Sequence, residues 1–334
     1  MKKLLSLLLL LFTLTACVGA PAATPTSPPA QTPPPLTHVK LAMGYIPDIQ
    51  FAPFYVAAEK GYFTEQGIEI EFVTMFENDS VPLLGANELQ FANVSAEQII
   101  QARAQGLPVT YVMKWWEKYP VAVVSKEATG IKTPADLKAR TVGLPGLYGA
   151  SYVGLRALLN SQGIQESDVQ LESIGFTQAE ALTADQVEAA VVYANNEPVR
   201  LRAAGESLNV IYVADYADLA SNGLATNEQT IADNPKLVGG MVAAILKGIA
   251  DTMADPSAAV DTSKKYIEAL ANGDAATIDT ARAVLAASIE MWQTPAAGVS
   301  DKTKWETTQN TLLDMGLIPS AIDLDNAFTN EFVK

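Results

Sequence analysis

The sequence predicts an α/β protein of two lobes, each a mostly parallel sheet flanked by helices, followed by a helical C-terminal tail. Three observations carry that reading. Short apolar runs alternate with amphipathic stretches from residue 39 to about residue 213, the grammar of βαβ units. The alternation restarts after Tyr119-Pro120, where a turn separates two sheets. From about Ala225 the pattern changes to long helical periodicity.

Taken in order, Val39–Tyr45 alternates and stops at Ile46-Pro47-Asp48, as a first strand feeding a loop does. Phe51–Lys60 reads as a helix closed by Gly61. Ile68–Thr74 is a second strand, and Ser80-Val81-Pro82 reads as a cap followed by proline in a first helical turn. Leu89–Asn93 is a strand, Ala96–Gln105 a helix stopped by Gly106, and Val109–Met113 the next strand. Beyond Pro120 the expected strands are Val121–Ser125, Arg140–Gly143, Val169–Ile174, Val187–Tyr193 and Asn209–Val213. Helices are expected from Thr133-Pro134-Ala135-Asp136 and over Ser151–Ser161. The tail reads as helices at Leu237–Met253, Ala258–Ala271, Ala276–Trp292 and Ser300–Met315, and no repeat of fixed period is present.

The amino-terminus has its own logic. Met1-Lys2-Lys3, an apolar run from Leu4 to Leu14, and then Leu14-Thr15-Ala16-Cys17 read as a secretory signal ending in a lipoprotein cleavage box. The run is too short for an ordinary membrane span. Cys17, the sole cysteine, becomes the lipidated (palmitate-bearing) first residue of the mature chain, which leaves no thiol for a disulfide within it. Val18–Thr37 holds seven prolines and no charge, a composition that favours extended conformations over a core. At roughly 3.1 Å per residue such a tether reaches about 60 Å. The expected organisation is therefore a signal peptide over 1–16, lipidated Cys17 and tether over 17–37, one lobe from 38–122 plus 216–334, and a second lobe over 123–215. The protein is expected on the extracytoplasmic face of the cell membrane, held there by lipid.

Nearly half the chain (49%) is apolar, ample for two cores. The formal charge is −15, and removing Lys2 and Lys3 makes it more negative still. Nucleic acid and anionic headgroups need clustered Lys and Arg to displace counterions, so neither is an expected partner.

The segments Tyr45-Ile46-Pro47-Asp48, Phe54–Phe63 (FYVAAEKGYF) and Gly67-Ile68-Glu69-Ile70 resemble the opening of the substrate-binding proteins of ABC importers for thiamine pyrimidine precursors, alkanesulfonates and nitrate. Asp136–Gly143 (DLKARTVG) and Asp185–Val192 (DQVEAAVV) extend the resemblance over most of residues 39–215. It implies a type II-like periplasmic-binding-protein clamp, a monomer that closes on one small molecule and presents it to a membrane permease.

Anion binders of this kind need stacked donors or a basic group. The expected cleft loops instead carry aromatic and amide residues: Tyr45, Trp115, Trp116, Tyr119, Tyr148, Tyr152, Tyr193, Asn195, Asn196 and Glu197. Paired aromatics suit a flat ligand, and Asn and Glu beside them suit a ring edge of alternating donors and acceptors. The set is similar to that of riboflavin-binding lipoproteins, which implies an isoalloxazine sandwich with ribityl hydroxyls meeting Asp48, Asn93 and Ser95. The thiamine-precursor branch remains the alternative and implies Glu197 or Asn195 on a pyrimidine edge, with a formylaminopyrimidine-type ligand. On a strand, Trp115 and Trp116 would face opposite sides, so one is expected in the core and one in the cleft. Tyr148 and Tyr152 flank Gly149-Ala150-Ser151, where free N–H groups at a helix start can meet a polar ligand group; an ordinary β-to-α turn reads the same. Ser221-Asn222-Gly223 lies near the return crossing and within reach of the cleft.

A catalytic reading finds few parts. His38 is the sole histidine, so no Ser-His-Asp set, zinc site or cysteine nucleophile can be assembled and no resident cofactor is expected. A ligand-sensing receptor lipoprotein uses the same clamp and is the alternative class; a hydrolase relying on Asp and Glu alone is the remaining one. The commitment is to a binding protein for a small flat heteroaromatic ligand.

Overall fold

In the computed structural model the described residues are 35–334. The expected signal peptide, Cys17 and the tether as far as Pro34 lie outside the described residues. The first sheet contains β1 (Thr37–Ala42), β2 (Ile68–Val73), β3 (Phe91–Ser95) and β4 (Val109–Lys114), and the second contains β5 (Val121–Lys126), β6 (Thr141–Leu144), β7 (Gln170–Ser173), β8 (Ala189–Tyr193) and β9 (Leu208–Tyr212). A tenth strand, β10 (Asn222–Asn227), returns to the first sheet.

The two sheets repeat one plan. Strand orders are β2-β1-β3-β10-β4 and β7-β6-β8-β5-β9. β1 runs parallel to β2 and β3, and β6 runs parallel to β7 and β8. Each sheet holds one reversed strand, β10 between β3 and β4 and β5 between β8 and β9. The reversed strand is in each case the first one laid down after the chain crosses over. Apart from these two, the mostly parallel arrangement follows the βαβ alternation of the sequence.

β10 is a strand the sequence reading missed, since helix was expected from about Ala225. All six of its residues are buried, but Asn222-Gly-Leu-Ala-Thr-Asn has little of the β-branched and aromatic content that marks strands. Gly223 is required by packing: a Cβ there would lie 2.1 Å from the Met113 carbonyl oxygen. Smaller corrections have local causes. The helix expected to begin at Ser80 spans Glu77–Gly85, because the Phe76 carbonyl already accepts the N–H groups of Asp79 and Ser80, and Pro82 sits inside it. The helix expected from Thr133 is a single 3-10 turn, Pro134–Leu137, closed by a Thr133–Asp136 capping box. The expected 258–271 helix is broken into Pro256–Ser263 and Glu268–Ala271. The expected boundary at 122/123 falls inside β5; the crossing is residues 115–120, where β4 has ended and Pro120 precedes the new strand. β1 starts at Thr37, one residue before the expected lobe.

Helices Ala52–Glu59 and Pro235–Ala254 pack on the first sheet in one core with Trp115, Trp116 and Trp292. The latter helix is long and apolar enough to cross a membrane by length and composition, and 50% of its most apolar window is buried against the lobe. The second sheet has a cluster on each face, built around Val121, Val123 and Leu158 on one and Val124, Val192 and Leu201 on the other.

Candidate ligand-binding site

The carboxyl ends of β1, β3, β4, β6, β7 and β8 all point into one cleft between the sheets, about 760 Å³ including its open mouth. Ligands of α/β sheets collect at such ends, and the size is that of a small-molecule site.

The first sheet supplies the base and one side of the mouth. After β1, Gly44 adopts the left-handed conformation (φ 78°) and a Cβ there would approach the Asn93 carbonyl oxygen to 3.0 Å. The turn carries Tyr45 over the opening, where its ring meets Phe176 edge-on at 4.6 Å. Phe176 comes from the exit of β7 and also packs against Phe76 at 5.3 Å, so aromatic rings from both lobes meet at the mouth. At the base, Trp115 and Trp116 follow β4 rather than lie on it. Both N–H groups converge on the Asn222 carbonyl at 3.1 Å. Strand alternation therefore does not apply, and both indoles face the cleft rather than one, which corrects the expectation from adjacency.

The second sheet supplies donors and acceptors. Helix Gly149–Ser161 starts without a side-chain cap, and Gly149, Ala150 and Ser151 line the cleft beside Tyr148, leaving first-turn N–H groups for a ligand oxygen. Beyond β8, Glu197 Oε2 accepts the Tyr193 N–H at 3.1 Å, and the Tyr45 hydroxyl lies 3.5 Å from Glu197 Oε1 across the lobes. Burial pushes the Glu197 carboxyl up to about 7.

A polar floor connects the lobes. Glu77 Oε2 accepts the Ser95 hydroxyl at 2.5 Å and the Ser95 N–H at 3.1 Å, while Oε1 accepts the Asn222 amide at 3.2 Å. Asn222 Oδ1 in turn accepts the Tyr193 hydroxyl at 3.2 Å. Part of Glu77 faces the cleft rather than bulk water, and this enclosure raises its carboxyl. The Asn93 amide reaches the Met43 carbonyl at 3.4 Å, but its Oδ1 is buried without a partner, as is the Trp115 indole N–H. A ligand that donates to the first and accepts from the second would satisfy both.

Of the residues singled out in the sequence, Tyr45, Asn93, Trp115, Trp116, Tyr148, Tyr193 and Glu197 line this cleft, and Asn196 joins them. The others stand away from it for identifiable reasons. Asp48 caps the 3-10 turn Ile49–Phe51 and pairs with Arg200 at 2.6 Å. Ser95 is spent on Glu77 from behind. Tyr119 lies in the crossing segment, its hydroxyl between Glu97 and the Ala150 carbonyl. The Asn195 amide donates to Ser288 at 2.9 Å. Tyr152 points to the far side of its helix, where its hydroxyl meets Glu166 and Arg156. Sequence reasoning passed over Phe76, Glu77, Phe176 and Gln178. Phe176 could have been found as the aromatic just beyond an expected strand end; Glu77 carried no signal because its helix was expected to begin three residues later.

The family model described as NMT1/THI5 like matches residues 48–259, and the chain belongs to that family. Fold and family together define a two-lobed solute-binding protein. The chain is similar over its length to the riboflavin-binding protein RibY of Chloroflexus aurantiacus, with 41% identity over 339 residues, 98% of this chain and 96% of that protein. It is 24% identical to the formylaminopyrimidine-binding protein of Halalkalibacterium halodurans, over 98% of each chain. Among solved structures, the alkanesulfonate-binding protein SsuA of Xanthomonas axonopodis pv. citri, bound to MOPS, shares the fold at a TM-score of 0.70 with 14% identity, covering 89% of this chain and 99% of that one.

Proposed function

We propose that this protein captures riboflavin outside the cytoplasm, is held to the membrane by lipid on Cys17, and delivers the vitamin to an ABC-type permease. The observation that carries the reading is the cleft itself: aromatic rings from both lobes, Tyr45, Phe76 and Trp116 from one and Phe176, Tyr148 and Tyr193 from the other, line one slot together with amides and carboxyls. A flat heteroaromatic ring satisfies such a slot by stacking, and its ring-edge N–H and carbonyl groups complement Asn93, Glu77 and the 149–151 turn. The 41% identity to a riboflavin-binding protein points the same way. Binding, not catalysis, is the proposed role.

The mechanism is a population shift. Ligand contacts on both lobes favour the closed form in which Tyr45 meets Glu197 and Arg200 meets Asp48; a ligand touching one lobe alone would bind without closing it. Titrating the full chain with riboflavin tests the reading. Saturable quenching of flavin emission at one site per chain is expected, since stacked aromatics quench it. No response at micromolar flavin overturns the ligand assignment and puts a formylaminopyrimidine, suited to the Glu197 carboxyl, in its place. Mass spectrometry of the membrane-extracted protein checks for diacylglycerol and acyl groups on Cys17.

A further inference from the structure

On the reading that the cleft holds riboflavin, we propose that it admits the uncharged vitamin and rejects its 5′-phosphate, with Glu197 as the residue that enforces the distinction. Among the described residues, those lining the cleft include two carboxyls, Glu77 and Glu197, and no lysine, arginine or histidine. A third carboxyl, Glu97, is wholly buried and electrostatically coupled to Glu77. The guanidinium adjoining the cleft is already committed: Arg200 Nη2 lies 2.6 Å from Asp48 Oδ2, and Nε donates to Asn196 Oδ1 at 2.5 Å.

A phosphate monoester carries about 1.5–2 negative charges at neutral pH. In an enclosed cleft little water or salt screens it from the carboxyls. Proteins short of basic side chains can still hold anions on free backbone N–H groups at helix starts. After β8 that route is closed: the Glu197 carboxyl takes the Tyr193 N–H at 3.1 Å, and at the start of the short helix Glu197–Ala203 the N–H groups of Val199 and Arg200 go to the Asn196 carbonyl at 3.0 and 3.1 Å. The 149–151 turn remains open, but a helix terminus presents only about half a unit of positive charge, less than the Glu197 carboxylate opposes to it at pH 8, above the value of about 7 to which burial raises it. That turn suits a neutral carbonyl or hydroxyl.

The hydrogen-bond inventory agrees with the charges. The unpartnered Asn93 Oδ1 is an acceptor on a residue 4% exposed and lining the cleft. It asks for a ligand N–H or O–H. An ionised phosphate offers mainly acceptors, so it would leave Asn93 unsatisfied while adding repulsion.

The test is a pair of calorimetric titrations of the full chain at pH 8, one with riboflavin and one with flavin mononucleotide, repeated with Glu197→Gln. Riboflavin is expected to bind at least about 100-fold more tightly than the mononucleotide, and the glutamine variant to narrow that ratio by about tenfold. The ratio is the readout, so a general loss of affinity in the variant leaves the comparison intact. Should the variant misfold, the wild-type ratio decides the exclusion by itself. Equal affinities, within threefold, overturn the exclusion while leaving riboflavin as the ligand. An unchanged ratio in a folded variant removes Glu197 as its agent. Absence of riboflavin binding overturns the functional reading and this inference together.

Discussion

Glu97 and Tyr119 meet at 3.2 Å in the interior, and the position of the Ala150 carbonyl, 3.0 Å from the same hydroxyl, fixes which of them donates. A phenol has one hydrogen and cannot serve both acceptors. A protonated Glu97 resolves the conflict by donating to Tyr119, which then donates to Ala150. Burial, with Glu77 behind it as a second carboxyl, pushes Glu97 up to about 8, so it is protonated at neutral pH. The groups facing it are Glu77, Ser95, Tyr119 and Tyr111, with no cation among those that shift it.

Folding should therefore weaken as pH rises. A carboxyl raised from its ordinary value to about 8 holds its proton in the folded protein but loses it in the unfolded chain between those limits, so stability falls with pH in that window by up to about 1.4 kcal/mol per unit. Glu197, raised to about 7, adds a slope of the same sign up to that pH. Thermal melts from pH 5 to 9 should show Tm declining, and Glu97→Gln should flatten the upper half of the decline. A variant whose profile parallels wild type refutes the assignment of the proton.

Tyr148 and Trp115 separate binding from stability. Tyr148 is half-buried at the cleft edge, so Tyr148→Ala should cost about 1–3 kcal/mol of flavin affinity, by analogy with base stacking, and little Tm. Trp115 is 4% exposed among Phe51, Phe54, Trp116 and Trp292, so Trp115→Ala should also lose about 3–5 kcal/mol of folding stability. Chemical denaturation run beside the titrations distinguishes the two.

Gly223→Ala should be more damaging than its size suggests. Its methyl would press on the Met113 carbonyl at 2.1 Å and the Tyr111 hydroxyl at 2.2 Å. β10 must shift, carrying Asn222 away from Glu77 and Tyr193, for a loss of about 2–4 kcal/mol with weakened ligand binding. A stable, fully binding variant would mean that β10 has slack the packing does not reveal.

The Arg200–Asp48 pair should govern release more than capture. Arg200 is half-exposed and Asp48 buried, so Arg200→Ala leaves a buried carboxylate holding only the Gln50 N–H at 3.1 Å. Dissociation of bound flavin in stopped flow should quicken roughly three- to tenfold, the span of a partly screened pair, while association changes little.

Strand exits were the most legible part of the site. Tyr45, Trp115, Tyr148 and Glu197 could be found because each follows an apolar run that ends in a turn signal, and the carboxyl-end rule does the rest. What stayed hidden depends on tertiary contact. β10 is strand because β3 and β4 clamp it on both sides, not because its residues favour extension. Glu77 is a cleft carboxyl because Ser95, eighteen positions away, supplies two donors. Tyr152 has the same residue type as Tyr148, yet helical rotation takes it to Arg156 and Glu166.

The placement of β10 between β3 and β4 also sets a schedule for the chain as it emerges. Strands β1 to β4 are made first but cannot complete their sheet, since its inner position stays vacant until residues 222–227 arrive. The second sheet, contained within residues 121–212, has every strand it needs well before that. The inserted lobe is thus able to finish while the outer one waits with an open seam. Closing that seam brings Asn222 to Glu77, so the binding floor is assembled only once β10 is in place.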